Sequence, residues 1–213
     1  MARAGGSEHP AATRQALMAA ARLRFGTQGY AATGTEEIVA DAQVTRGALY
    51  HHFRDKADLF GAVMEQVALE VAEQLVTTEL KRATDESDTD AWEQLRAGFQ
   101  SFLDICTDSD FQRIVLVDGP AVLGHDAWDV LVERYGYRLL AEWLTRAIEE
   151  GRIDPLPVMP LTRVLAAVLS EASLLIGRAG DPAQARREAG EVLDRLLVGL
   201  EAKDGLVAKN AVP

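Results

Sequence analysis

Several features that mark other classes of protein are missing from this chain. Cys106 is the single cysteine, which excludes an internal disulfide framework and a cysteine-rich zinc site. No uninterrupted apolar run approaches the ~18–20 residues of a membrane span. The opening residues 1–14 lack the apolar stretch of a secretory signal. We therefore expect a cytoplasmic protein that does not associate with membranes and in which Cys106 is a small buried apolar residue.

The usual signatures of catalysis are also absent. The chain has no G-x-S-x-G nucleophile elbow, no H-E-x-x-H zinc motif, no P-loop and no dinucleotide glycine fingerprint. His51 and His52 are adjacent, so they do not face one another on a helix, and no third ligand is spaced to join them. We therefore predict that the protein is not an enzyme and holds no cofactor and no metal.

Positive charge is scarce, and its distribution is uneven. The chain has 22 basic and 33 acidic residues, a net charge of −11. Residues 13–59 nevertheless carry six basic and five acidic residues, whereas residues 60–213 carry 15 basic and 27 acidic ones. One segment thus lacks the acidity of the remainder, which is the distribution expected if only that segment meets a polyanion.

Helical periodicity, by contrast, is abundant, and no convincing alternating strand is present. The pattern predicts an all-α fold in which an N-terminal three-helix domain is joined by a long helix to a C-terminal helical bundle. The long helix is predicted over residues 56–82. The bundle helices are predicted over residues 92–106, 110–123, 126–150, 161–178 and 182–201.

Two short helices in the N-terminal segment form a predicted helix-turn-helix. Thr35 and Thr45 each precede an apolar helical pattern, so both are predicted helix N-caps. Only about four residues separate the two helices, as in helix-turn-helix motifs. In such motifs the second helix enters the DNA major groove with its N-terminal residues at the base edges.

The segment VTRGALYHHF, residues 44–53, has the residue types expected of that second helix. Arg46 is the long donor at its leading end, and it can bond guanine O6 and N7 in a bidentate manner. Gly47 and Ala48 keep the helix slim where it approaches the duplex, and Ala48 can touch a thymine methyl. The glycine lowers helix propensity by about 1 kcal/mol, which close approach to DNA explains.

The remaining side chains of this segment separate into two faces. Leu49 and Phe53, four residues apart, are predicted to face inward. Tyr50, His51 and His52 then point outward, where a phenol and an imidazole can donate to phosphate. The Thr45 hydroxyl can do the same.

The stretch GYAATGTEEIVADAQVTRGALYHHFRDKADLFGAV, residues 29–63, resembles the DNA-binding domain of the TetR (tetracycline-repressor-like) family of transcription regulators. The resemblance implies a homodimeric repressor of a palindromic operator, which releases double-stranded DNA when a small-molecule effector binds the C-terminal bundle. It also implies phosphate contacts by Thr35, Thr45, Tyr50, His51 and Lys56, and base contacts by Arg46, Gly47 and Ala48.

Two residues depart from the family pattern. Gln43 stands between the two short helices where the family often has glycine, and a left-handed conformation there would cost glutamine ~1 kcal/mol. Arg24 replaces the usual apolar residue before Phe25. Neither departure removes a predicted contact residue.

The effector pocket is predicted among apolar side chains of the bundle together with one carboxylate. Its candidate lining residues are Phe99, Leu103, Phe111, Ile114, Asp118, Trp128 and Leu139. Ordinary core packing is the alternative for most of them individually. Asp118 is expected either to support the turn at Gly119-Pro120 or to anchor a polar group of the ligand.

The last two predicted helices, residues 161–178 and 182–201, carry wide apolar stripes that suit a four-helix homodimer interface. We thus predict a disordered tail over residues 1–12, a helix-turn-helix DNA-binding domain over 13–59, a ligand-binding and dimerisation domain over 60–203 and a frayed tail over 204–213. The alternatives are a helical-bundle enzyme and an adapter that keeps the fold but acts through protein partners.

Overall fold

A computed structural model describes residues 10–85 and 90–202. Over these ranges the protein is all-α, as predicted, and the extended backbone pairs at one isolated bridge between Ile153 and Glu201. The described residues form two compact units. The first lies within Met1–Leu69 and Asp108–Leu131, and the second within Glu70–Thr107 and Val132–Pro213.

The helices agree with the periodicity, with local changes of pitch. In chain order they are α1 (Pro10–Gln28), α2 (Thr35–Asp41), α3 (Arg46–His52), α4 (Lys56–Asp85), α5 (Ala91–Ile105), α6 (Gly119–Leu123), α7 (His125–Val132), α8 (Arg138–Glu149), α9 (Val158–Arg178) and α10 (Pro182–Val198). Two π-helical segments, Phe111–Asp118 and Glu133–Tyr137, divide helices that periodicity predicts as continuous. Pro120 follows the first of them and has no N–H to donate to an α-helical ladder.

The two predicted helix starts of the helix-turn-helix have different outcomes. Thr45 is the N-cap of α3, as predicted, because its Oγ1 accepts a 3.2 Å bond from the Ala48 N–H. Thr35 is wrong as an N-cap, since it is already the first helical residue and extended Gly34 occupies the cap position. The Glu37 carboxylate accepts a 2.9 Å bond from the Gly34 N–H, so a side chain within the helix holds the cap residue in place.

The helix-turn-helix packs on an apolar core inside the first unit. Leu49 and Phe53 are 0% and 4% exposed, which confirms their predicted inward direction. The rings of Phe25, Tyr30 and Phe60 meet with centroids 5.2–5.7 Å apart. The other fully buried side chains of these helices include Leu17, Ala21, Ile38 and Leu59. This core fixes which face of α3 reaches solvent.

The turn between α2 and α3 holds Gln43 at φ 57°, in the left-handed region. Its N–H donates to Ala40 O at 3.1 Å, and the Val44 N–H donates to Val39 O at 3.0 Å. These bonds fix the turn in spite of a conformation that costs a non-glycine residue about 1–2 kcal/mol. The predicted cost of the missing glycine is therefore present in the fold.

The second unit is a helical bundle with its own core. Its fully or almost fully buried residues include Trp92, Leu95, Phe99, Leu103, Leu144, Ala147, Leu193 and Leu197. Cys106 is completely buried, as expected of a small apolar residue. In this unit α9 is long and apolar enough to cross a membrane by length and composition, a test that the core helix of a soluble protein also passes.

The helices α9 and α10 also expose apolar side chains to solvent. Val164 and Leu175 on α9 are 62% and 56% exposed, and Val192 and Leu196 on α10 are 58% and 49% exposed. Each helix therefore has one apolar face in the core of the second unit and additional apolar surface outside it.

Candidate nucleic-acid interface

The solvent-facing side of α3 carries the predicted contact residues. Arg46 and Tyr50 are 62% and 45% exposed, and Gly47 and His51 are also exposed, while Leu49 between them is buried. A methyl group added at Gly47 would meet nothing nearer than Thr45 Oγ1, at 3.8 Å. Because the fold itself leaves room for a side chain there, the glycine is consistent with space reserved for a partner.

Arg46 is oriented by two neighbours. Its Nη1 donates to Oε1 of Glu36 at 3.3 Å, and its guanidinium lies 5.6 Å from the centre of the Tyr50 ring. Glu36 is 82% exposed and belongs to α2, so the ion pair links the two helices of the motif. Glu36 was not predicted as a site residue from the sequence.

Thr45 and Lys56 are both engaged within the protein. Thr45 Oγ1 accepts the cap bond of α3, which leaves its O–H available as a donor. Lys56 Nζ donates to the carbonyls of Tyr30 and Thr33 at 2.9 and 2.8 Å, and lies 4.0 Å from the centre of the Tyr30 ring. Lys56 thus holds the loop before α2. Half-exposed Thr35 follows this loop as the first residue of the helix.

Arg24 has a clear structural role in place of the usual apolar residue. Its Nε and Nη2 donate to the two carboxylate oxygens of Asp41 at 2.6 and 3.1 Å, and its Nη1 donates to Glu37 at 2.9 Å. The hydrogen bond from Arg24 lowers the pKa of Asp41 below its ordinary value. The arginine therefore fastens α1 to both ends of α2.

His51 and His52 lie with ring centroids 5.2 Å apart in a T-shaped arrangement. In the part of the chain that the structure describes, no three His, Cys, Asp or Glu side chains group closely enough to hold a metal ion. His51 is exposed and His52 half-buried, so His51 is the better placed of the two to meet a ligand in solvent.

The π-helical segment Phe111–Asp118 is hydrogen-bonded to the end of α1 and to the loop after it, within the first unit. The Asp118 carboxylate accepts a 2.8 Å bond from the Tyr30 N–H, 88 residues earlier in the chain. Arg113 Nη1 donates to the Thr27 carbonyl at 2.7 Å. The π-helical segment Phe111–Asp118 is thereby tied to the loop that precedes α2. This tie was not predicted from the sequence, and it differs from both roles expected of Asp118.

An N-terminal and a C-terminal part of the chain each match a known family. Residues 17–63 match the family described as bacterial regulatory proteins, tetR family, and residues 92–200 match the Tetracyclin repressor-like C-terminal domain. The chain belongs to the TetR family. It is therefore a DNA-binding transcriptional regulator of a family whose members are typically repressors, and it is not an enzyme.

Individual TetR-family proteins resemble the chain to different extents. A crystal structure of a TetR-family transcriptional regulator from Pectobacterium atrosepticum shares 32% identity and a TM-score of 0.73, covering 95% of this chain and 99% of that one. The transposon Tn10 TetC protein of Escherichia coli is 28% identical over 66% of this chain and 68% of its own length. The regulator AcrR of Shigella flexneri is 47% identical over 53 residues, a quarter of either chain.

The predicted effector-binding residues of this TetR-family protein fall in both units. Phe111, Ile114, Asp118 and Trp128 lie in the first unit, and Phe99, Leu103 and Leu139 lie in the second. Trp128 Nε1 donates to the Val115 carbonyl at 2.8 Å, which fixes its indole against the π-helical segment. Leu139 lines an open cavity of about 590 Å³, together with residues of α4 and α8 that include Ala72, Val76 and Glu142.

Proposed function

We propose that the protein is a cytoplasmic homodimeric repressor that binds a palindromic operator and is released from DNA by a small-molecule effector. The observation that carries the proposal is the exposed face of α3, where Arg46, Gly47, Tyr50 and His51 reach solvent opposite buried Leu49. A helix with a slim, cationic leading end on a rigid core is the form that the major groove admits.

The residues on and beside this face take different roles in the proposal. Arg46, Gly47 and Ala48 meet base edges, since they occupy the first turn of α3. Thr35, Thr45, Tyr50 and His51 meet phosphates. Lys56 uses two of its three N–H groups on the carbonyls of Tyr30 and Thr33, so its main role is to position the loop before α2, with one donor left for phosphate.

Dimerisation through α9 and α10 accounts for the apolar surface that these helices expose. Side chains such as Val164 and Leu196 would enter a four-helix interface, where their burial is worth about 25 cal/mol per Å². A second copy also doubles a DNA-binding surface whose net charge is only slightly positive. Two copies of α3 then read half-sites about one helical turn or more apart.

In this proposal, the effector releases DNA through the tie between the π-helical segment and the loop before α2. Phe111 and Ile114 belong to the same segment as Arg113 and Asp118, which bond Thr27 and Tyr30. An effector that displaces this segment pulls on the loop and reorients α2 and α3. A coupling of about 1–3 kcal/mol is typical of such linkage.

The test is selection of bound fragments from random and genomic DNA at near-physiological salt, run with the wild type, Arg46→Ala and Arg138→Ala. Arg138 lies in the second unit, is 80% exposed and provides a control for the loss of one positive charge. We expect the wild type and Arg138→Ala to enrich the same palindrome and Arg46→Ala to lose it. Salt-labile binding without an enriched sequence, indifferent to Arg46, would contradict the proposal.

A further inference from the structure

Glu36 and Glu37 are consecutive, yet they have different surroundings. Glu37 is bonded to the Gly34 N–H and to Arg24, and both contacts stay within the fold. Glu36 extends from α2 to Arg46 at the leading end of α3 and is 82% exposed. A carboxylate therefore accompanies the guanidinium on the face that the proposed function assigns to DNA.

The Glu36–Arg46 ion pair itself contributes little to the stability of the fold. A pair this exposed stabilises a fold only slightly, because solvent screens it and two long side chains must be ordered. A carboxylate brought close to duplex DNA is also repelled by the phosphates of every sequence. Glu36 thus reduces DNA affinity generally, unless the duplex offers it a hydrogen-bond donor.

A G·C base pair offers such a donor in the required place. In the major groove guanine presents the acceptors N7 and O6, and the paired cytosine presents the N4 amino donor beside them. A guanidinium with a carboxylate 3.3 Å away has the complementary order of donors and acceptor. An A·T pair does not match, because it lacks two adjacent acceptors for a bidentate arginine.

We infer that Glu36 is a specificity-determining residue, which accepts a hydrogen bond from the cytosine N4 amino group of the same base pair whose guanine binds Arg46. The inference rests on the proposed function and adds to it a second base-contacting residue, which lies on α2 rather than α3. Arg46 need not leave Glu36 on binding DNA, so the pair enters the groove as one recognition unit. Glu36 thereby penalises sites at which that amino group is missing.

The test uses the selected operator with N4-methylcytosine opposite the guanine whose enrichment depends on Arg46. The methyl group replaces the N–H that faces the groove. We expect the wild type to lose about fivefold or more in affinity for the methylated operator, within the range of a good base contact. Glu36→Ala should bind both operators equally and bind unrelated DNA more tightly than the wild type. Glu36→Gln keeps an acceptor oxygen and should recover part of the discrimination.

Asp126→Ala is the matched control, since Asp126 is an exposed acidic residue of α7, outside the helix-turn-helix. It should discriminate as the wild type does. The inference is overturned if Glu36→Ala responds to the methyl group as the wild type does and gains affinity for all sequences alike, because Glu36 is then a repulsive charge only. It is also overturned if the base pair that depends on Arg46 is not G·C. Failure of the proposed function is separate from both, since the wild type would then enrich no sequence.

Discussion

Replacement of Asp118 tests the tie between the π-helical segment and the loop before α2. The Asp118 carboxylate accepts a 2.8 Å bond from the half-buried Tyr30 amide. Hydrogen bonds to a charged partner are worth about 1.5–3 kcal/mol, and neutral ones about 0.5–1.5 kcal/mol. Asp118→Ala should therefore lower the free energy of unfolding by about 1.5–3 kcal/mol. Asp118→Asn keeps a neutral acceptor and should lower it by about half as much.

Thermal denaturation can measure this difference. For a chain of this size 1 kcal/mol shifts Tm by about 2–4 °C, so Asp118→Ala should melt about 3–12 °C below the wild type. Asp126→Ala removes the same charge from the same unit and provides the control. In operator binding, Asp118→Ala should also weaken the response to effector, because one of the two bonds of the tie is lost and only that from Arg113 to Thr27 remains. An unchanged Tm in Asp118→Ala would refute the reasoning. So would a Tm of Asp118→Asn that falls as far as that of Asp118→Ala.

Two further predictions concern the ion pair between Arg24 and Asp41 and the packing around two helical glycines. Arg24 lowers the pKa of Asp41, so their bond stabilises the fold above the ordinary aspartate pKa and is lost as the pH falls through the lowered value. Between pH 7 and pH 3, the free energy of unfolding from chemical denaturation should thus fall less for Arg24→Leu than for the wild type. Equal decreases in the two proteins would contradict this. Gly98→Ala would place a methyl 2.7 Å from Trp143 Cη2 and should destabilise by about 1–3 kcal/mol, more than its gain in helix propensity. Gly61→Ala, with its nearest neighbour at 3.5 Å, should stabilise by up to ~1 kcal/mol, and urea midpoints that shift in the same direction for both would refute the packing argument.

Local periodicity was enough to predict the helices and the inner face of α3. Leu49 and Phe53 are four residues apart, so one buried face follows from helical geometry alone. Thr45 was predictable as a cap because its partner, the Ala48 amide, is only three residues away. Such features depend on spacing within one turn, which a single sequence displays.

Features that depend on distant partners were not predictable in this way. Asp118 and Tyr30 are 88 residues apart, and no spacing rule connects them. From the sequence, Glu36 is interpreted as a negative charge that stabilises the start of a helix. Its contact with Arg46 depends on how α2 and α3 cross, which the sequence does not display. The Thr35 error has a local cause, since Glu37 bonds the Gly34 N–H and Gly34 adopts the extended conformation that the cap position needs.

The left-handed turn at Gln43 restricts the substitutions that the motif can accumulate. At φ 57° a β-branched residue is strongly disfavoured, whereas glycine fits without strain and asparagine or aspartate with little. Replacement of Gln43 by glycine, asparagine or aspartate therefore relaxes the turn, whereas a β-branched residue strains it further. The strain of the turn between α2 and α3 can therefore change through this single residue, without any change in the side chains that face DNA.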